Sequence, residues 1–140
     1  MICYVDALHA RNMVTRKSVT GILLLLNNTL VSWLSKCQKM VEAAAYASEM
    51  IASRIAVEMN ISMRYFLHMS WINLEPSLVL VGDNMAVVLN TTIPSSALKK
   101  KHQACNYHKM RERIAAGFIR YGHIRSEENV ADLLTKPLVR

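Results

Sequence analysis

Apolar and polar positions in this chain fall into short blocks whose spacing changes along its length. Ile2-Cys3-Tyr4-Val5 reads as a short strand ending at Asp6, and Val19 through Leu26 as a buried strand. Asn27-Asn28 supplies turn chemistry, so Leu30 to Leu34 returns as a hairpin partner. From Glu42 to about Asn60 the chain is Ala, Met, Ile, Glu and Arg without Gly or Pro, which predicts a long helix, with a second through His68. Leu78 to Val81 is another strand, and Gly82-Asp83-Asn84 turns it into a helix through Leu89. A polar loop at Thr91 to Ser96 precedes a helix over Ala104 to Ala116, a strand over Phe118 to Ile124 and a last helix over Glu127 to Thr135. Three strands in a meander followed by alternating helices and strands predict an α/β domain, a five-stranded mixed sheet with helices on both faces.

That layout gives four acids a position. Asp6 and Asp83 would lie at the same ends of neighbouring parallel strands, the edge where open α/β sheets carry their sites. Glu49 and Asp132 lie on helices that can aim at the same edge. Clustered carboxylates repel one another and call for divalent cations, which suggests metal-assisted phosphodiester hydrolysis. Read singly, Asp83 suits a helix N-cap equally well, and Glu49 and Asp132 suit solvated helix faces.

Composition narrows the partner and the compartment. Lys and Arg number 17 against 10 acids, a net charge of +7, so an anionic partner such as nucleic acid is expected. Cys3, Cys37 and Cys105 are odd in number and widely spaced, which argues against a disulfide framework and for a reducing compartment. The apolar run Ile22 to Leu26 is far too short to span a bilayer, and Asp6 and His9 interrupt the start of any signal peptide. At 140 residues, without linker or repeat, one domain covers 1–140.

Five blocks then carry a family resemblance. Ser18-Val19-Thr20-Gly21-Ile22 with Val31-Ser32-Trp33-Leu34-Ser35-Lys36-Cys37-Gln38-Lys39 resembles the S-x-S-G … S-W-x-S-K-x-Q-K block of the ribonuclease H domain of Ty1/copia-type retrotransposon Pol polyproteins. Gly82-Asp83-Asn84 is similar to its C-D-N, and Lys101-His102 with Tyr107-His108-Lys109-Met110-Arg111-Glu112 to K-H … Y-H-x-x-R-E. Ser126 through Leu138 resembles the closing S-T-E-D-Q-V-A-D-I-L-T-K-P-L, the most specific of the blocks.

The resemblance implies a ribonuclease H-like domain, clipped at both ends relative to the family, that cleaves the RNA strand of RNA–DNA hybrids during reverse transcription. It implies Asp6, Glu49, Asp83 and Asp132 as the catalytic, metal-binding tetrad and two Mg²⁺ ions as cofactor, with Mn²⁺ a substitute. Asp6 would bridge both ions, Asp132 would serve the water-activating one, and Glu49 with Asp83 the other. The hybrid and the reverse transcriptase domain of the same polyprotein are the implied partners, in the cytoplasm or a virus-like particle, with no secretion and no membrane. Selectivity for RNA would follow from 2′-hydroxyl contacts and groove shape.

Lys99, Lys100, Lys101, His102, His108 and Arg111 are the expected nucleic-acid contacts, positioning the backbone without reading bases. Leu8, Ala47, Gly82 and Ala104 depart from the family's Asp, Glu, Cys and Asp, so the acids persist while their polar neighbours are replaced. This leaves an alternative, an inactive remnant that keeps the fold and binds nucleic acid weakly. Other readings fit less well. Tyr4-Val5-Asp6-Ala7 lacks the second Asp of a polymerase palm; His102, Cys105 and His108 lack a fourth metal ligand; the methionines Met59, Met63 and Met69 suit core filling. An integrase-like nuclease is disfavoured by the blocks around Trp33 and Lys136.

Overall fold

The computed structural model describes residues 1–72, 74, 77–98 and 101–136. Its strands are β1 (Ile2–Leu8), β2 (Val19–Leu26), β3 (Thr29–Cys37), β4 (Leu78–Gly82) and β5 (Ile119–His123), ordered β3-β2-β1-β4-β5 in one sheet. The first three form an antiparallel meander, while β4 and β5 add parallel to β1 and to each other. Asn27 and Asn28 both take left-handed φ values, 48° and 62°, the two-residue turn whose twist suits a hairpin.

Strand periodicity sorts β1 into two faces. Cys3, Val5 and Ala7 enter the core with Ile22 and Leu24 of β2 and Leu80 of β4. That core is covered by helices α1 (Ala45–Met69), α2 (Met85–Thr92) and α3 (Ala104–Ala115), through Met50, Ala56, Val57, Val87 and Met110. Asp6, of opposite parity, faces away from Val5 and opposes Gly21 of β2. A β-carbon on Gly21 would lie 2.7 Å from the Ala131 carbonyl oxygen and from Thr135 Cγ2, so glycine lets a closing segment pack against β1 and β2.

Several expected boundaries change. β1 runs through Asp6 to Leu8 because Asp6, Ala7 and Leu8 continue the ladder with Gly21, Thr20 and Val19. The two expected helices are one, α1, since nothing near Asn60 interrupts the turns and Asn60 is itself buried within it. It ends where Trp71 adopts φ 60° and the Ile72 N–H reaches back to the Leu67 carbonyl, a left-handed cap. The expected last helix is instead two 3₁₀ turns, Ser126–Glu128 and Val130–Leu134, separated by Asn129, whose extended backbone breaks the helical run. Among the described residues no helix is long and apolar enough to cross a membrane.

Candidate metal and nuclease site

The sheet ladder alone brings two of the acids together. β1 and β4 run parallel with Val5 beside Gly82, so Asp83 leaves β4 next to Asp6 on the neighbouring strand. Glu49, in the first turns of α1, reaches over the same edge, and its Oε1 accepts the Ala7 N–H at 3.2 Å. Asp6, Glu49 and Asp83 thereby offer carboxylate oxygens all within 4.8 Å of one another.

Each acid is held by neighbours that the sequence did not mark as site residues. Thr135 Oγ1 donates to Asp6 Oδ2, Ser126 Oγ donates to Asp83 Oδ2 at 2.7 Å, and His123 Nε2 lies 3.1 Å from the Asp83 carbonyl oxygen. Asn129 Nδ2 donates to the Val5 carbonyl at 2.9 Å, and Ser35 Oγ to the Leu134 carbonyl at 2.7 Å, docking the closing segment on the sheet. Thr135, Ser126 and Asn129 belong to the closing block, so its hydroxyls and amide were the available signal. His123 carried none.

Asp132 stands outside the three-acid group. Its Oδ2 pairs with Lys136 Nζ, one 3₁₀-to-loop turn away, and this contact holds the lysine ammonium more firmly protonated than usual. The carboxylate is nonetheless near enough to act on Asp6 and Glu49 through its charge.

Burial and crowding set the electrostatics. Asp6 is 5% exposed and Glu49 7%. Desolvation pushes the Asp6 carboxyl up, the Thr135 hydroxyl opposes this, and the charges of Asp83 and Asp132 add to it. Glu49 is pushed up to about 9, first by burial and then by Asp6 and Asp83, with the Ala7 N–H opposing. Such a cluster is costly to ionise by itself, and its donors are hard oxygens, the set that suits Mg²⁺ or Mn²⁺.

Gly82, where the resemblance has cysteine, has a packing reason. A β-carbon there would lie 2.8 Å from the Tyr121 hydroxyl oxygen, which shares a 2.7 Å hydrogen bond with Ser53 of α1. The Tyr121 side chain takes the space beneath the site.

The expected nucleic-acid contacts divide. Lys99 and Lys100 lie outside the described residues. Lys101 and His108 are exposed, and His102, half exposed, meets the buried Glu42 carboxylate at 3.2 Å. The Arg111 guanidinium donates to the carbonyls of Ile93, Pro94 and Ser96 and to the Tyr107 hydroxyl, which pins the 93–96 turn to α3. His102, Cys105 and His108 do not close to ligating distance; among the described residues only the three acids do. A groove of about 590 Å³ beside His102 is lined in part by Lys36, Lys39 and Arg54. Cys3 is buried, and its thiol is pushed up to about 12 by desolvation, which makes it inert.

With this geometry in hand, comparison with known proteins decides the fold. The backbone superposes on the N-terminal RNase H domain of a Mycobacterium tuberculosis protein with a TM-score of 0.72 at 13% identity, covering 96% of this chain and 88% of that one. It matches LC11-RNase H1, solved in complex with an RNA/DNA hybrid, with a TM-score of 0.71 at 14% identity, covering 95% and 91%. The fold is that of ribonuclease H. In sequence, the chain is 31% identical over 137 residues to the retrovirus-related Pol polyprotein from transposon TNT 1-94 of Nicotiana tabacum, covering 98% of this chain and 10% of that protein. The corresponding polyprotein from transposon RE1 of Arabidopsis thaliana is 29% identical, with 98% and 9% covered. The chain is thus related over nearly its whole length to plant transposon Pol polyproteins, and it spans about a tenth of the length of those relatives. A further match, TM-score 0.64 at 12% identity, lies within the prototype foamy virus protease-reverse transcriptase and covers 96% of this chain and 20% of that one. No protein-family model matches the chain.

Proposed function

We propose that this chain is a nuclease that hydrolyses the RNA strand of RNA–DNA hybrids, as the ribonuclease H segment of a Ty1/copia-type Pol polyprotein. The observation that carries the reading is the convergence of Asp6, Glu49 and Asp83, from β1, α1 and the end of β4, to within 4.8 Å at one sheet edge of a ribonuclease H fold. Their donor chemistry fits two divalent ions. When bound, such ions supply an activated water and charge stabilisation for the leaving 3′ oxygen.

The chain's own residues do the rest. Asp6, central in the sheet and fixed by Thr135, would be held in common by the ions; Asp83 is oriented by Ser126, and Glu49 by the Ala7 amide. Asp132, which pairs with Lys136, would serve as a fourth ligand, a cation there taking the place of the lysine ammonium beside its carboxylate. Lys99, Lys100, Lys101, His102 and His108 contact the substrate backbone, and Lys36, Lys39 and Arg54 extend that positive surface. The reading is supported by a solved ribonuclease H of the same fold that holds an RNA/DNA hybrid, and by the reverse transcriptase context of the foamy virus match. It places the chain beside a reverse transcriptase domain, in the cytoplasm or a virus-like particle.

The replaced neighbours Leu8 and Ala47 favour one other reading, an inactive remnant that binds hybrid weakly. Cleavage of an end-labelled hybrid by purified chain with Mg²⁺, Mn²⁺ or EDTA separates the two. Metal-dependent cuts confined to the RNA strand support the nuclease. A folded sample that cuts nothing at saturating hybrid and Mn²⁺ is the remnant.

A further inference from the structure

Gln38 follows β3 and is buried, yet it belongs to no part of the acidic cluster. Its backbone N–H donates to the Ser18 carbonyl at 2.8 Å. Its side-chain Nε2 donates twice, to Thr20 Oγ1 and to the Ser48 carbonyl, both at 2.9 Å. Thr20 immediately precedes Gly21, the cross-strand partner of Asp6, and Ser48 immediately precedes Glu49. One buried amide therefore ties the strand beside Asp6 to the helical turn that carries Glu49.

The start of α1 depends on such a tie. Its N-cap is Ala44, which supplies no side-chain acceptor, and no acid occupies the first turn. The Ser48 hydroxyl turns back onto the Ala45 carbonyl instead of reaching the sheet. A helix end without a cap frays, and fraying here would move Glu49. The Ala7 N–H fixes one oxygen of Glu49 but not the backbone beneath it.

We propose that Gln38 is a positioning residue: it sets Glu49 against Asp6 so that their carboxylates meet on a divalent cation. The inference rests on the metal site proposed above. Metal ligands whose supporting hydrogen bonds are removed lose roughly 10- to 100-fold in affinity, and the lower end applies where one of several ligands is loosened.

The test uses Gln38→Met. Gln38 Oε1 finds no hydrogen-bond partner among the described residues, so this change deletes only the two donated bonds at nearly constant volume. Free Mn²⁺ is followed by electron paramagnetic resonance while wild type and Gln38→Met are titrated, with circular dichroism on the same samples. Gln38→Met is expected to stay folded, to bind Mn²⁺ about 10-fold more weakly, and to leave the KM for hybrid unchanged while kcat falls at low Mn²⁺ and recovers at high Mn²⁺. Equal Mn²⁺ affinity in folded Gln38→Met, even with a lowered Tm, would overturn the inference and leave Gln38 as a fold contact. Should Gln38→Met fail to fold, Thr20→Val removes one of the two acceptors alone; it is expected to weaken Mn²⁺ roughly threefold, and an unchanged affinity is equally fatal. Wild type that binds no Mn²⁺ would sink the metal-site reading itself, a result distinct from a Gln38 variant matching a wild type that does bind.

Discussion

Replacing Glu49 by Gln should stabilise the metal-free protein at neutral pH. An unfolded Glu titrates near 4.5, whereas burial and the neighbouring acids push folded Glu49 up to about 9. Between those values the folded chain keeps a proton that the unfolded chain has lost, so stability falls as pH rises, by about 1.4 kcal/mol per unit. From 4.5 to 7 that amounts to about 3 kcal/mol. In Glu49→Gln the new side chain would keep an oxygen to accept the Ala7 N–H and add an amide that can donate to the adjacent carboxylates. The Asp6 shift has the same sign and remains in both proteins, so the difference isolates Glu49. Urea unfolding in EDTA at pH 4.5, 7 and 8.5 should show the two proteins equal at the lowest pH and diverging upward. At pH 7 the variant should lead by about 3 kcal/mol, roughly 10 °C in Tm. Saturating Mg²⁺ should narrow the gap by stabilising wild type alone. A variant that is equally stable, or less stable, across the whole range would refute the crowded-carboxylate account.

Other expectations follow from the same geometry. Asp6→Asn should lower hybrid cleavage by ~1,000-fold or more while leaving the metal-free fold unchanged or firmer, since Asn can still accept from Thr135; a large loss of metal-free stability would make Asp6 a structural acceptor. Gly21→Ala should cost about 1–3 kcal/mol by overpacking and expose residues 129–136 to protease, because its methyl group would meet Ala131 and Thr135; unaltered proteolysis would contradict the close approach. Converting Lys99, Lys100 and Lys101 together to Ala should weaken binding alike for unrelated hybrids and flatten the log–log salt slope by about 2 to 3 units, and an unchanged slope would mean that they make no backbone contact.

How much of this was legible in the sequence differed by element. The Asn27-Asn28 hairpin was, since two residues tolerant of left-handed φ between apolar runs leave few alternatives. The meeting of Asp6 and Asp83 followed from strand order. Glu49 was less legible: its helix could aim it at the same edge, but an acid on a helix becomes buried only through tertiary packing, and the family resemblance was needed to choose it over a solvated face. The split expected near Asn60 had no stop signal behind it, since no Gly or Pro interrupts Ala45–Met69, whereas the cap that ends α1 uses a left-handed Trp that turn chemistry does not forecast. The collapse of the last helix into 3₁₀ turns reflects Asn129, whose side chain bonds the Val5 carbonyl and the Ala131 N–H instead of continuing a helix. The pairing of Asp132 with Lys136 and the bonding of Arg111 to the 93–96 turn depend on side-chain directions that spacing leaves open.

The bond from Thr135 to Asp6 joins residues 129 positions apart. A ribosome making this chain therefore delivers the Asp6 carboxylate more than a hundred residues before its hydroxyl partner. Until then β1 can pair with β2 but the site is unfinished, and contacts of such long sequence separation form late and slowly. On the nuclease reading proposed above, the site would accordingly be complete only in the finished fold.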